Sequence, residues 1–461
     1  MKHLATQLEA VAAAMPYRVV GQVQAIGGLT IEATDLALPV GSLCRIHSFG
    51  DRKSVAEVIG FQHDRTLLMS LGATGGISRG DRIENITAAP TINCSDRLLG
   101  RVVDGFARPI DNKRPLPMGQ QRRIDARGAK PLQRINIDTP ISTSVRAIDS
   151  LHICGLGQRV GIFSGPGVGK STLLAQIAKH TSAEVSVVAM IGERGREVQE
   201  FLQRSLGEEG LKRCVVVVST SDDAPLLRVR AAKSACTIAE YFRDQGKNVL
   251  LLMDSLTRLC QAQRQIGLSA KEPPATKGYP PSVFALLPEI LERAGKTERG
   301  SITGFYTVLV EGDDFNEPIP DAVKGIGDGH FWLSRSLANR GHFPAIDVLQ
   351  SISRVSTDVV PLEQTRRARR LLSLCAVYQD IEDLVNIGAY VPGVNAEFDL
   401  AVQSRPKVVQ FLRQASDAPQ TLQQSAKALG DLVAWIEQLE KTIKIPAPKT
   451  HRQAPAPAGA K

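Results

Sequence analysis

The chain has 461 residues, enough for two or three domains that each bury a hydrophobic core. Hydrophobic residues make up 43% of the chain, but no apolar run reaches the about eighteen residues of a membrane-spanning helix, and the N-terminus lacks a signal-peptide core. We therefore expect a cytoplasmic globular protein, whose net charge of +9 permits a nucleic-acid or acidic-membrane partner without requiring one.

The N-terminal region divides into a helix and a group of short strands. Residues 1–16 place apolar side chains at helical spacing, which predicts an amphipathic helix. In residues 17–92 the period changes to two, in short β-branched segments separated by Gly, Asp or Pro. This pattern predicts a small β-barrel or sandwich. The Pro- and Arg-rich residues 107–134 fit neither period, and we expect them to cross the surface as an extended passage.

A central domain is expected over residues 93–362. From about residue 140 apolar strands alternate with helices, a pattern typical of an α/β fold whose parallel sheet is covered on both faces. Ligands of such a sheet bind at the carboxyl ends of its strands. The strands are predicted at 160–163, 185–191, 215–220, 249–254, 302–309 and 329–333.

The C-terminal part reads as helical and then as unfolded. Residues 363–445 have a helical pattern and form a predicted third domain, while residues 446–461 are basic, rich in Pro and Ala, and expected to be disordered. The arginine cluster at 366–370 fits a solvated face or a subunit contact better than an RNA site. The seven cysteines include no C-x-x-C pair, which predicts buried, reduced thiols rather than disulfides or metal ligands.

A glycine-rich stretch, GIFSGPGVGKSTLL at 161–174, lies between a predicted strand and a predicted helix. Backbone N–H groups of such a loop, a lysine and a helix N-terminus together bind phosphate. The stretch matches G-x-x-x-x-G-K-[ST], although Ser164 takes the first glycine position and Pro166 lacks one N–H. It predicts a nucleotide site with Ser171 on Mg²⁺; a structural turn is the alternative. The expected nucleotide-binding residues here are Gly165, Pro166, Gly167, Val168, Gly169, Lys170, Ser171 and Thr172.

Two further strand ends carry candidate catalytic groups. The run NVLLLMD ends in Asp254, which we expect to complete the Mg²⁺ site, unless it only caps the next turn. Glu193 and Arg194 follow the strand at 185–191, between Gly192 and Gly195. There the carboxylate can orient or deprotonate a water at the γ-phosphate while the arginine fixes its geometry; an ordinary surface ion pair is the alternative.

Several longer stretches resemble one protein family. GERGREV, MDSLTR, EPPATKGYPPSVFALLPEILERAG, GSITGFYTVLVEGDD and HFPAIDVLQSISR are similar to the flagellar and type III secretion export ATPases, relatives of the catalytic subunits of rotary ATPases. The resemblance covers residues 17–400 and implies a RecA-like P-loop core, an N-terminal barrel and a C-terminal helical domain. GVGKS and EPPATKGY are more similar to the flagellar branch than to the injection branch.

The resemblance also implies roles for individual residues. It matches Glu193 to the catalytic glutamate and Arg194 to a phosphate-contacting arginine. It matches Phe343 to an aromatic ring that stacks on adenine, and Arg354 to an arginine finger that reaches the next subunit's site. From the residues alone, Phe343 reads as a core aromatic and Arg354 as an interface arginine.

An arginine finger in trans implies a ring, and the family forms homohexamers. The resemblance thus implies an ATP- and Mg²⁺-dependent export ATPase, located in the cytoplasm and peripherally at the inner membrane. Implied partners are a stator-like regulatory protein at the N-terminal helix, membrane components of the export gate, and secretion substrates with their chaperones. Two alternatives remain, a hexameric nucleic-acid translocase and a rotary synthase subunit. Nucleic acid is the less expected partner, because aromatic residues make up only 5% of the chain.

Overall fold

Six short strands close into a barrel at the N-terminal end of the computed structural model, which describes residues 19–49, 52–310 and 317–443. Around the barrel the strands follow the order β1-β2-β5-β4-β3-β6. Alternate side chains such as Ile31, Ile46 and Leu68 fill its interior, which explains the period of two. The barrel strands are β1 (Val20–Gly27), β2 (Thr30–Thr34), β3 (Leu43–Ser48), β4 (Arg52–Gln62), β5 (Arg65–Ser70) and β6 (Arg82–Thr87).

The prediction of a barrel or sandwich is thereby resolved as a barrel. The helix predicted over residues 1–16 and the disordered tail predicted over 446–461 lie outside the described residues.

The connection after the barrel has more structure than the sequence indicated. β7 (Thr91–Cys94) pairs antiparallel with β9 (Gln120–Arg123), and between them β8 (Arg101–Val103) joins the edge of the central sheet. The expectation of an irregular passage over 107–134 was therefore wrong for β9. Its sequence QQRR is polar throughout and mostly exposed, so no hydrophobic period revealed the strand.

The central sheet is parallel except for two strands. Its order is β19-β18-β12-β17-β15-β13-β14-β8, with β16 paired to β17. All six predicted central strands are present. The antiparallel edge strand β19 was not predicted, because its alternating burial and polar residues do not resemble a buried parallel strand. The remaining strands are β10 (Pro140–Ile141), β11 (Cys154–Gly155), β12 (Arg159–Ser164), β13 (Val185–Glu193), β14 (Cys214–Thr220), β15 (Asn248–Asp254), β16 (Gly295–Lys296), β17 (Ser301–Leu309), β18 (Gly329–Leu333) and β19 (Ile346–Ser353).

Helices lie on both faces of the sheet, as predicted. A short π-helical segment, Phe201–Leu206, lies between α3 and α4, and 3₁₀ turns occur at Asp96–Leu98, Pro131–Gln133 and Thr276–Gly278. The helices are α1 (Arg146–Leu151), α2 (Lys170–His180), α3 (Gly195–Glu200), α4 (Gly207–Lys212), α5 (Pro225–Asp244), α6 (Leu256–Ser269), α7 (Pro281–Leu291), α8 (Pro318–Ile326), α9 (Arg335–Asn339), α10 (Ser356–Val359), α11 (Leu362–Asn386), α12 (Ala396–Leu412) and α13 (Leu422–Thr442).

Successive side chains of the central strands enter two different cores. Val187 and Leu251 face the core that contains α5 to α8, whereas Val188 and Leu252 face the core that contains α1 to α4. Both cores are needed because every strand near the centre is buried on both faces. The C-terminal helices α11 to α13 join the second core, so they pack on the same face as α2.

The helical pattern beyond Val360 is confirmed by α11, α12 and α13. Asn395 and Thr421 cap the second and third of these helices with their side chains, which satisfies backbone N–H groups at both helix starts. All seven cysteines are buried with free thiols, as expected. Among the described residues no helix is long and apolar enough to cross a membrane.

Candidate active site

The glycine-rich loop connects β12 to α2 at the carboxyl edge of the sheet. Gly167 and Gly169 have φ of +78° and +86°, in the region that favours glycine. Val168 is buried and anchors the loop between them. A Cβ atom on Gly167 would meet nothing within 4 Å, so the loop faces open space. The loop therefore has the backbone and the clearance that close approach of a phosphate requires.

Sheet topology brings the candidate carboxylates to this loop. β15 and β13 lie beside one another, and β17 separates β15 from β12. All four strands are parallel, so their carboxyl ends meet at one edge. Asp254 at the end of β15 and Glu193 at the end of β13 therefore face the same space as Lys170.

Lys170 links the loop to both carboxylates. Its Nζ donates a hydrogen bond of 2.6 Å to Asp254 Oδ1 and lies 3.8 Å from Glu193 Oε1. Its side chain is only 14% exposed, and the two carboxylates outweigh the effect of burial, so its pKa is raised. Lys170 is therefore charged, and its ammonium group lies between the carboxylates of Asp254 and Glu193.

Thr307 holds Asp254 in place, and the sequence analysis missed it. Thr307 lies on β17, the strand next to β15, and its Oγ1 donates a hydrogen bond of 2.7 Å to Asp254 Oδ1. Thr307 is itself fully buried. The available signal was a hydroxyl in the middle of the apolar run GFYTVLV, which needs a partner when buried.

Glu193 is a poorly satisfied, buried carboxylate. Its Oε1 is buried with no hydrogen-bond partner among the described residues. Burial raises its pKa to about 7, and the nearby negative charge of Asp254 adds to the rise, while Lys170 opposes it. A carboxyl that titrates near neutral pH at the end of a strand is suited to accept a proton.

Gly192 allows the chain to turn sharply before Glu193. It has φ of +72°, and a Cβ atom there would lie 2.8 Å from Cβ of Arg258. The pairing of β13 with β14 is also irregular between Ile191 and Glu193.

Arg194 follows Glu193 and is 77% exposed, and its guanidinium lies 3.9 Å from Glu197. Its role at a phosphate stays a prediction.

The residues expected at Mg²⁺ fit that ion. Ser171 and Thr172 are exposed in the first turn of α2, and Asp254 supplies a buried carboxylate nearby. No cluster of three or more His, Cys, Asp or Glu side chains that could hold a metal occurs in the described part of the chain. One carboxylate and one hydroxyl suit Mg²⁺, which keeps waters and takes further ligands from substrate phosphates.

Phe343 lies against the loop, where an adenine ring could stack. A Cβ atom on Gly169 would be 3.4 Å from the ring of Phe343. Phe343 is 45% exposed, so the other parts of the ring remain open to solvent. This exposure argues against the simpler interpretation of a core aromatic.

Arg354 lies at the opposite edge of the sheet. Phe343 precedes β19 and Arg354 follows it, and this strand has eight residues, a length of roughly 25 Å. In register, Ile346 pairs with Leu333 at the carboxyl end of β18, and Ser353 pairs with Gly329 at its amino end. Arg354 donates hydrogen bonds of 3.3 Å to the carbonyls of Gly327 and Lys324 at that amino edge. Arg354 therefore cannot reach the loop of its own chain.

Three protein-family models match successive parts of the chain, from the N-terminal barrel to the C-terminal helices. The β-barrel domain of the ATP synthase alpha/beta family matches residues 19–86, and the nucleotide-binding domain of that family matches residues 144–353. The C-terminal domain of the type III secretion ATPase EscN matches residues 360–431.

Relatives match nearly the whole length. The chain is 49% identical to the flagellum-specific ATP synthase of Bacillus subtilis, over 90% of this chain and 95% of the relative. It is 50% identical to the flagellum-specific ATP synthase of Pseudomonas aeruginosa, over 90% of this chain and 93% of the relative. It is 47% identical to the SPI-2 type 3 secretion system ATPase of Salmonella typhimurium, over 86% of this chain and 91% of the relative.

Solved structures agree with this fold. The assembled ATPase EscN of the enteropathogenic E. coli type III secretion system matches with a TM-score of 0.83 at 44% identity, over 90% of this chain and all of that chain. EscN in complex with its central stalk EscO matches equally well, with a TM-score of 0.83 at 43% identity over the same shares of the two chains.

Proposed function

We propose that this chain, which belongs to the family of flagellum-specific and type 3 secretion ATPases, is the Mg²⁺-dependent ATPase of a flagellar protein export apparatus. The observation that carries the proposal is the position of Lys170 at the glycine loop, 2.6 Å from Asp254 and 3.8 Å from Glu193. The flagellar branch is favoured because four flagellum-specific relatives are 46–50% identical, against 44–47% for four type 3 secretion ATPases.

The geometry supports hydrolysis of a nucleoside triphosphate. The loop from Gly165 to Gly169 and the start of α2 bind the phosphates, and Lys170 supplies a positive charge to them. Ser171 and Asp254 would hold a Mg²⁺ ion, which would neutralise phosphate charge when bound. Glu193 accepts a proton from water as the water oxygen bonds to the γ-phosphorus, and the bond from that phosphorus to the β–γ bridging oxygen breaks, giving ADP and phosphate. Arg194 contacts phosphate from the exposed side.

The active site is completed by a second copy of the chain. Arg354 is too far from its own loop, and its guanidinium is exposed at the opposite edge of the sheet. Placed against a neighbour's loop, it stabilises the charge of the transition state in trans. In a closed ring, the Arg354 of every copy completes the active site of one neighbour, so no site lacks an arginine. We propose that this ring is a homohexamer.

The remaining partners follow from the family. We propose domain limits of 17–92, 93–362 and 363–445, with residues 1–16 binding a stator-like regulatory protein. The chain acts in the cytoplasm and peripherally at the inner membrane, with export-gate components and with secretion substrates and their chaperones. The complex of the relative EscN with its central stalk EscO supports an additional stalk-like partner.

The test is Mg²⁺-ATP hydrolysis by the purified full-length chain. We expect hydrolysis that EDTA abolishes and that increases per subunit with protein concentration, because assembly completes the sites. Lys170→Ala should remove it, whereas Lys179→Ala, at the other end of α2, should leave it nearly unchanged. Wild-type protein that neither binds nor hydrolyses Mg²⁺-ATP contradicts the proposal.

The same assay distinguishes the export ATPase from a nucleic-acid translocase. The relatives favour the export ATPase over that alternative and over the rotary synthase subunit. We expect single-stranded RNA to change the rate by less than about twofold. Strong stimulation by RNA that falls steeply with salt would favour the translocase instead.

A further inference from the structure

Gln414 lies at a junction of three parts of the chain, two residues after α12 ends. Its backbone N–H donates a hydrogen bond of 2.9 Å to the carbonyl of Phe343. Its side-chain Nε2 donates to the carbonyls of Ser144 and Ala418, at 2.9 and 2.8 Å. Its Oε1 accepts a hydrogen bond of 2.7 Å from the backbone N–H of Arg146. One residue thus joins the segment before β19, the segment before α1, and the C-terminal helices.

The partners of the Gln414 side chain match a primary amide. Its Nε2 donates to two carbonyls while its Oε1 accepts from one N–H, and among neutral side chains of this length only glutamine offers both donor and acceptor. Asparagine is one methylene shorter, glutamate has no donor when ionised, and methionine has neither group. The site is half-buried, so groups left unpaired there lose part of their contact with water.

The same carbonyl connects to the helix that follows the glycine loop. Gln176, buried on α2, also donates to the carbonyl of Ser144, at 3.3 Å. The hydroxyl of Ser144 donates to the carbonyl of His180 at the end of α2, at 2.6 Å. A continuous path of hydrogen bonds therefore runs from α2 through Ser144 and Gln414 to Phe343.

Arg146 attaches α12 without help from the Gln414 side chain. Its Nε donates to the carbonyl of Phe411 and its Nη2 to that of Arg413, each at 2.5 Å. Its guanidinium also lies 5.2 Å from the centre of the Phe411 ring. Loss of the Gln414 amide therefore leaves the C-terminal helices docked, which separates a positioning role from a structural one.

We propose that Gln414 is a positioning residue that acts through Phe343, so that affinity for the nucleotide base depends on the side-chain amide of Gln414. The proposal rests on the nucleotide site described above. The side-chain amide orders the segment around Gln414, and the backbone N–H of Gln414 then holds the Phe343 segment beside Gly169. Gln414 therefore influences binding of the base through the Phe343 ring, and it does not influence binding of the phosphates.

The test uses Gln414→Met, which keeps charge and approximate size, with Gln410→Met on the exposed face of α12 as the matched control. We expect Gln414→Met to raise the dissociation constants of ATP and ADP and the KM for ATP about tenfold, which corresponds to about 1.4 kcal/mol. The value of kcat should stay within about twofold, and the affinity for inorganic tripolyphosphate, which has no base, should not change. In a Phe343→Ala background the substitution should add little.

Three results overturn the proposal. They are an equal loss of affinity for ATP and tripolyphosphate, an undiminished effect in the Phe343→Ala background, and no effect on ATP at all. If Gln414→Met does not fold, Gln414→Asn is measured by the same criteria. Lys170→Ala provides the separate check, because ATP binding that survives it would contradict the nucleotide site itself, whatever Gln414 does.

Discussion

Phe343 and Arg354 lie at the two ends of the outermost strand β19. Phe343 is therefore near the carboxyl ends of the parallel strands, and Arg354 is near their amino ends. The glycine loop lies at the same ends of the strands as Phe343. One copy of the chain can therefore bind a nucleotide with its own loop, whereas its Arg354 can reach only the nucleotide bound by a neighbouring copy. This arrangement makes the contribution of Arg354 testable by mixing variants.

Arg354→Ala and Lys170→Ala should each be nearly inactive alone, and an equal mixture should recover activity. In mixed rings about one interface in four pairs an intact loop with an intact arginine, so we expect roughly a quarter of wild-type ATP turnover. The control mixes Arg354→Ala with the Lys170→Ala/Arg354→Ala double variant, which has no intact arginine. Equal rates in the two mixtures would exclude action in trans.

Glu193→Gln should separate binding from hydrolysis. The amide keeps the shape of the side chain but cannot accept the proton of water, so we expect Mg²⁺-ATP to bind while turnover falls by about two orders of magnitude or more. Equilibrium binding and steady-state hydrolysis measure the two effects. Turnover within about tenfold of wild type would assign the proton transfer to another group.

The pH dependence should follow the carboxyl of Glu193. Its pKa is raised to about 7, so the reactive, ionised form is lost as pH falls through that value. We expect kcat/KM to rise with pH up to about 7 and then level off. Because a terminal phosphate also titrates near this range, the profile of Glu193→Gln serves as the control.

Glu197→Gln should shift this profile without removing activity. Hydrogen bonding to Glu197 and its negative charge both help to raise the pKa of Glu193. The neutral amide removes the charge, so the rising limb of kcat/KM should move to lower pH. A limb that does not move would show that the observed pKa belongs to a different group.

Phe343→Ala should weaken adenine nucleotides specifically. Stacking of a base on an aromatic ring contributes about 1–3 kcal/mol, so the affinity for ATP should fall about tenfold or more. Phe343→Tyr should retain it. Competition with inorganic tripolyphosphate measures the phosphate part of the site, and an equal loss there would mean that the ring supports the loop rather than the base.

Arg293→Met should destabilise the central domain. Arg293 is 2% exposed, and its guanidinium donates two hydrogen bonds of 2.7 Å to the buried Glu240. Removal of one member of such a pair leaves a buried charge, so the free energy of unfolding should fall by about 3–5 kcal/mol. Urea unfolding measures it, with the exposed Arg299→Met as control. A loss no larger than that of the control would contradict the role of the pair.

The sequence by itself determined the strand and helix periods, the glycine loop, and the positions of Asp254 and Glu193 after buried strands. These features are local, and the rule that parallel strands end at one edge was enough to place the three groups together. The polar strand β9 and the edge strand β19 escaped prediction because neither carries a continuous hydrophobic period.

Only the tertiary structure decided which residues meet across long separations. Thr307 contacts Asp254 because β17 happens to lie beside β15, and Gln414 reaches Phe343 because α12 ends over the loop before β19. The raised pKa of Glu193 likewise depends on burial and on Asp254. Strand order, strand direction and burial arise from pairing and packing of distant segments, and no local period in the chain encodes them.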